Sequence, residues 1–452
     1  MTKSGWKKWL CTVTATMGMG SMALAGDARG FINTDSVFGE DGNNIRLVSN
    51  SCTTDACAPD ACAPTDPCCP GIGDACDSAL SSEGCDSGCG LFGGEQFDLG
   101  SKLFDEGSGW DIGGWTQFGY TNKNDGVFNT HPGKFNAHQM NLYVEKVADG
   151  SNGVGFGGRV DLMYGVDASN TQSFGNNPGR FDFANGWDHG SYGWAMPQLY
   201  GEVAYKDLSV KVGHFYTLLG YQVVPATGNF FYSIPYTFNF GEAFTHTGAL
   251  ATYKASDKVT IYGGYTLGWD TGFDQRFGGS SFLGGASIAV TDKVTATYIC
   301  TAGDLGWIGE GYSHSLVIDY KINDKWEYVL QTDHDSIDKS INATSGFGHY
   351  DASGVNQYLF YTINDQWKAG ARMEWWKANG TSLYEMAYGI NYKPMKNLTI
   401  RPEVRYNWVP GTIGNAPFSQ GPLPVASATG NSTTANDYNN NFIFGIDAVL
   451  TF

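Results

Sequence analysis

After its first 25 residues this 452-residue sequence lacks any uninterrupted apolar run of about 18 residues, the length a membrane-spanning helix needs. If the chain crosses a bilayer, it does so as a closed β-barrel, the other structure that satisfies every backbone group in lipid. Basic residues are also scarce. There are 27 Lys and Arg against 45 Asp and Glu, a formal net charge of −18. That balance excludes nucleic-acid binding through charge. Beyond Cys89 the only cysteine is Cys300. A dinucleotide site is lacking too. Residues 153–158 match G-x-G-x-x-G, but they sit in a turn and strand with no helix to follow. No cofactor or metal is called for.

What is present begins with a secretory leader. Lys3, Lys7 and Lys8 precede a modestly apolar stretch from Leu10 to Leu24, and Ala23-Leu24-Ala25 is a small-x-small cleavage site. Residues 1–25 are therefore expected to be removed. Three lysines leave with them, which takes the net charge from −18 to −21. Residues 26–110 follow as a low-complexity periplasmic extension. It holds Cys52, Cys57, Cys62, Cys68, Cys69, Cys76, Cys85 and Cys89, an even set in a secreted context. A disulfide framework is the first reading, with pairings that sequence cannot assign. Cross-links to other envelope proteins and a zinc site are the alternatives.

From residue 111 to 452 the chain reads as strand after strand. The last run alternates Phe442, Phe444, Ile446, Ala448, Leu450 and Phe452 with Ile443, Gly445, Asp447, Val449 and Thr451. A closing strand that ends on an aromatic, here Phe452, looks like the signal by which the barrel-assembly machinery accepts bacterial outer-membrane barrels. Sixteen such segments can be counted, mostly 8–13 residues long, with short turns at 206–207, 256–258, 291–293, 323–325 and 364–366. Longer Gly/Asn/Asp-rich connections lie between them. Short turns at one end and long loops at the other are the pattern of an antiparallel transmembrane barrel. A soluble sandwich also alternates, but aromatics at strand ends (Trp326, Trp367, Tyr205, Tyr392, Trp408) and many charges on the polar face favour the barrel. Pro402 removes one ladder donor and predicts a local bulge.

The stretches Gly228-Asn229-Phe230-Phe231-Tyr232-Ser233, Tyr236-Thr237-Phe238-Asn239-Phe240-Gly241-Glu242 and Phe244-Thr245-His246-Thr247-Gly248 are distinctive in wording. So are Trp187-Asp188-His189-Gly190-Ser191-Tyr192-Gly193-Trp194 and Gly263-Gly264-Tyr265-Thr266-Leu267-Gly268-Trp269-Asp270-Thr271-Gly272. Over about residues 110–452 the chain resembles the outer-membrane β-barrel porins described as OmpL-like, a family abundant in planctomycete bacteria. The resemblance implies a porin-like fold and an outer-membrane location, with no known solute.

Candidate site residues follow from the strand faces. Inward, pore-lining charges are expected at Glu145, Arg159, Asp161, Glu202, Lys211, Lys368, Arg372, Glu374, Arg401, Glu403, Arg405 and Asp447. Arg372, Arg401 and Arg405 would form a local basic ladder facing acids across the pore. With Asp319, Lys321, Glu327, Asp333 and Glu385 also inward, the wall holds ten acids and seven bases, so mild cation selectivity is expected. Connection 216–246 is the third long loop and is strongly aromatic. Phe230, Phe231, Tyr232, Tyr236, Phe238, Phe240 and Phe244, with Glu242 and His246, are expected to fold into the lumen as a constriction. Asp333, Asp335 and Asp338 fall in an exterior loop, where calcium is a weak alternative to plain solvation.

The function these residues point to is passive diffusion of small hydrophilic solutes, by a homotrimer embedded in outer-membrane lipid. A substrate-specific channel and a structural protein anchored by the barrel are the nearest alternatives. A lipid-hydrolysing barrel would need a Ser–His pair on the outer wall. His138 and His214 have that parity, but no serine partner is legible.

Overall fold

The computed structural model describes residues 98–105, 107–175, 181–182, 189–338, 349–378, 380–410 and 440–452. The leader and the eight clustered cysteines lie outside them. A short helix α1 (Leu99–Leu103), capped by the Asp98 carboxylate, leads into the strands. These are β1 (Trp110–Thr121), β2 (Phe135–Lys146), β3 (Val154–Gly165), β4 (Gly193–Tyr205), β5 (Leu208–Tyr216), β6 (Thr245–Ser256), β7 (Val259–Thr266) and β8 (Ser280–Thr291). The second half comprises β9 (Val294–Asp304), β10 (Glu310–Lys321), β11 (Trp326–Asp338), β12 (His349–Asn364), β13 (Trp367–Ala378), β14 (Thr381–Met395), β15 (Leu398–Trp408) and β16 (Asn441–Thr451). Helices α2 (Ala168–Thr171) and α3 (Tyr236–Gly241) lie in the connections after β3 and β5. Each strand pairs antiparallel with its sequence neighbours, and β1 pairs with β16, so the sheet closes into a barrel. Closure leaves no edge, which separates this fold from a sandwich.

The turns explain the strand directions. In four of them a Ser, Thr or Asn side chain accepts a hydrogen bond from the N–H two residues on: Ser256 from Lys258, Thr291 from Lys293, Asn323 from Lys325 and Asn364 from Gln366. The Lys206-Asp207 turn is closed by Lys206 at φ 52°. All five turns lie at one end of the barrel, as antiparallel order requires. The long connections lie at the other, together with the short link from β13 to β14, which the sequence pattern did not show.

Outward positions are apolar, with Phe118, Leu142, Phe156, Val203, Val212, Met373 and Phe444 all exposed. Aromatic pairs ring both ends. Trp326 stacks on Tyr361 at 4.5 Å and Trp367 on Tyr392 at 4.2 Å at the turn end, and Tyr384 meets Trp408 at 5.3 Å at the other. Such girdles sit at the two membrane interfaces of a barrel.

Two expectations need correction. Pro402 produces no bulge. Its pairing to Ile446 on β16 is in register, and the β14–β15 register is the same on both sides of it. The missing donor only interrupts the β14 ladder locally. Asp335 does not lie in an exterior loop beyond the inward Asp333. The alternation continues through Ile337, so β11 extends to Asp338 and turns both carboxylates inward, where they are buried.

The seam is tight at its end. Phe452 and Gly114 exchange backbone hydrogen bonds at 2.9 and 3.0 Å. A Cβ on Gly114 would lie 2.1 Å from the Asn141 carbonyl oxygen and 2.8 Å from the Phe452 ring. Gly114→Val is expected to cost about 1–3 kcal/mol through overpacking. The heat-modifiable folded band on a semi-native gel should fall, and an unchanged band would contradict this account of the seam.

Candidate functional site

Residues 217–244, between β5 and β6, turn into the barrel and reach from Tyr350, near the long connections, to Trp115 and Val449, toward the turn end. Thr217 N–H donates to the Phe244 carbonyl at 3.0 Å, pinching the neck of the excursion. Inside, Phe128, Phe238, Phe244, Trp269, Leu283, Ile299, Trp307 and Trp376 belong to one buried apolar cluster. Phe230 and Phe231 join Tyr358 and Phe360 of β12 in a second. Phe230, Phe231, Tyr232, Tyr236, Phe238, Phe240, Glu242, Phe244 and His246 are all buried. Close approach of these rings requires small residues on the wall. A Cβ on Gly370 would lie 2.4 Å from Phe230, and one on Gly445 would lie 2.7 Å from Tyr232.

A backbone taken from water into the barrel must find new partners. Wall carboxylates supply many of them. Glu374 accepts from the N–H of Tyr236 at 2.7 Å and of Thr237 at 2.6 Å. Glu403 accepts from the N–H of Tyr232 at 2.8 Å and of Ser233 at 3.1 Å, and from the Ser233 hydroxyl. Carbonyls are met by guanidiniums. Arg372 donates to Ser233 at 2.8 Å, Arg405 to Ile234 at 2.6 Å and Arg401 to Ala226 at 2.9 Å. Further side chains complete the set. Gln139 bridges Val224 and Ala226, Asp125 accepts from Ile234, and Gln331 donates to Glu242 at 2.6 Å.

The wall charges also pair among themselves. Arg372 and Arg405, on β13 and β15, converge on Glu385 of the strand between them. Arg401 donates to Asp447 at 2.9 Å, and Lys368 to Glu327 at 3.1 Å. The arginines thus form no bare basic ladder facing acids across a pore, because their partners are beside them. Arg159, Glu145 and Asp161 form a separate group on β2–β3. Arg159 lies 3.0 Å from Glu145 and 2.6 Å from Asp161, and rests over the Tyr143 ring at 4.0 Å. On β4 and β5 Glu202 stands opposite Lys211, whose ammonium lies 4.6 Å from the Tyr200 ring centroid. These groups stay partly open. The Arg159 and Glu145 side chains are 19% and 29% exposed, while those of Arg372 and Glu385 are fully covered.

His138 does not face outward. It is the extra residue of a β-bulge opposite Gln117/Phe118, and its Nε2 lies 2.7 Å from the Tyr232 hydroxyl inside the barrel. His214 has a serine partner that the sequence did not reveal. Ser173 Oγ lies 2.9 Å from its Nε2, and Thr247 Oγ1 lies 2.8 Å from its Nδ1. Ser173 and His214 are both fully buried, which keeps substrate from the hydroxyl, so the trio ties the β3–β4 connection to the wall. Among the described residues no His/Cys/Asp/Glu group has metal-holding geometry.

A closed, even-stranded barrel, apolar outside and polar inside with a connection folded into its lumen, defines an outer-membrane channel. Residues 108–452 match the family described as "Putative beta-barrel porin-2, OmpL-like", and the chain belongs to it. It is an outer-membrane porin, a channel for passive diffusion. Similar solved structures include the anion-selective porin from Comamonas acidovorans, at 10% identity and TM-score 0.49, covering 76% of this chain and 99% of that one. The outer membrane channel DcaP of Acinetobacter baumannii matches at 11% identity and TM-score 0.48, covering 77% and 99%. OmpT of Vibrio cholerae, in trimer form, matches at 12% identity and TM-score 0.47, covering 76% and 99%. No curated protein matches the sequence.

Asp270, in the β7–β8 connection, accepts from the N–H of Phe244 at 2.8 Å and of Thr245 at 2.9 Å, where the excursion rejoins β6. Burial pushes its carboxyl up to about 7. The folded protein therefore holds a proton between about pH 4 and 7 that the unfolded chain releases, and stability falls as pH rises through that window. Asp270→Asn should remove this part of the pH dependence of thermal unfolding. An identical slope in the variant would contradict the assignment.

Proposed function

We propose that small hydrophilic solutes diffuse through a lumen narrowed by residues 217–244, with the wall charges setting both its shape and its ion preference. One observation carries the reading: wall side chains from β2, β11, β12, β13 and β15 provide hydrogen-bond partners for the backbone of that segment. Glu374, Arg372, Glu403, Arg405, Arg401 and Asp447 then act mainly by holding the constriction. Glu145, Arg159, Glu202 and Lys211 meet the passing solute, with Asp161 buried behind Arg159, and Lys368 serves its pair with Glu327. The partly open acids and bases balance, and Asp161 adds one further acid beside them, which favours cations mildly. The buried aromatic fill leans toward a narrow, selective channel over a wide general one. A homotrimer in the membrane belongs to the same reading, with Phe452 as the residue the assembly machinery reads.

Glu374→Ala combined with Glu403→Ala unpins the excursion, so single-channel conductance in a planar bilayer should rise above wild type. Unchanged conductance in the folded variant would argue against a constricting role. The reversal potential of the wild type in a KCl gradient should show mild cation preference, and anion preference would defeat that part.

A further inference from the structure

The barrel wall is chemically divided. Strands β7, β8 and β9 carry no charged residue except Asp304 at the rim. Their inward positions near the turn end carry hydroxyls instead. Register pairing sets Thr260, Ser287 and Thr297 side by side at one level, and Thr252, Tyr262 and Gly285 at the next. Above these levels the wall turns apolar, through Leu250, Leu283 and Ile299, and is closed by the buried cluster. The hydrogen bonds that fix residues 217–244 run to other strands, and the hydroxyl positions of this wall stay partly open. Thr252, Thr260, Ser287 and Thr297 are half-buried, and Thr295 is exposed. Ser287 and Thr297 share a hydrogen bond at 2.9 Å.

We infer that this hydroxyl-bearing surface is a binding track for neutral, polyhydroxylated solutes of mono- or disaccharide size. The inference rests on the channel reading and deepens it. A hydroxyl both donates and accepts, so a row of them matches a polyol without fixing its orientation. The Tyr262 ring is buried in the apolar cluster and backs the row, so the hydroxyls of Thr252, Thr260, Ser287 and Thr297 are the groups that meet the solute. A charged solute finds no counter-charge on β7–β9, the flanking Lys254 of β6 lies 3.6 Å from Asp257, and the guanidiniums of the opposite wall are already paired. A few placed polar groups beside an apolar surface are what small-molecule recognition uses.

The test is the KCl current of the full-length protein in a planar bilayer, with maltose added to one side. The inference expects a saturable, partial block by maltose and a much weaker effect of gluconate at equal concentration. Thr297→Val and Thr260→Val should each raise the half-blocking maltose concentration about three- to ten-fold, the worth of one or two hydrogen bonds. Thr332→Val, on the outward face, is the control and should leave it unchanged. Ser287→Ala is a milder change on the same track should either variant fail to fold. Good KCl conductance with no maltose block, or a block unaffected by the track variants, overturns the inference while leaving the channel reading intact. Absence of any KCl current from folded wild-type protein would overturn both.

Discussion

The structure depends on an exchange of hydrogen bonds between a charged barrel wall and a backbone segment buried inside it. Neither partner is stable there alone. Glu374, Glu403, Arg372 and Arg405 are covered from water, and an unpaired charge in that position costs several kcal/mol. Residues 232–237 bring N–H and C=O groups into the same space and would carry a similar penalty if unmet. Each satisfies the other. The carboxylates take the N–H groups of Tyr232, Ser233, Tyr236 and Thr237, and the guanidiniums take the carbonyls of Ser233 and Ile234.

That constraint propagates outward. Aromatic rings of the segment need depth, so the facing wall has Gly370, Gly389 and Gly445 where larger side chains would collide. Arginines need carboxylates within reach, so Glu385 lies between the strands of Arg372 and Arg405, and Asp447 stands directly opposite Arg401. The outer face is free of these demands and is built for lipid. One barrel thus has a packed, ion-paired sector at β11–β16, a half-open charged sector at β2–β5, and an uncharged hydroxyl sector at β7–β9. A channel with three such walls discriminates by chemistry as well as by width.

Much of this was legible in the sequence because strands repeat with period two. All sixteen segments were found, although β11 and β12 run five and six residues further toward the long connections than their alternation suggested, and Ser256, Thr291, Asn323 and Asn364 marked turns by a local hydrogen bond. The aromatic segment was legible as something that must be buried. Its partners were not. That Arg372 and Arg405 meet at Glu385 depends on register across three strands, and no spacing along the chain encodes it. His138 was assigned the wrong face because one bulge reverses parity. Asp335 was taken for a loop residue because a second carboxylate in alternation with Asp333 looks solvated until a barrel closes around it. The Ser173–His214 contact joins a long connection to a distant strand, beyond any local pattern.

The central claim is that residues 217–244 occupy the barrel in the conducting protein. Thr237 and Asn356 offer the direct test, since Asn356 Nδ2 donates to Thr237 Oγ1 at 2.8 Å. The double variant Thr237→Cys, Asn356→Cys, with every native cysteine changed to serine, would be assembled into outer membranes and oxidised. The account predicts that the cross-link forms readily and that conductance is the same before and after its reduction. A folded barrel that does not cross-link, or a conductance that rises sharply once the bond is reduced, would contradict it.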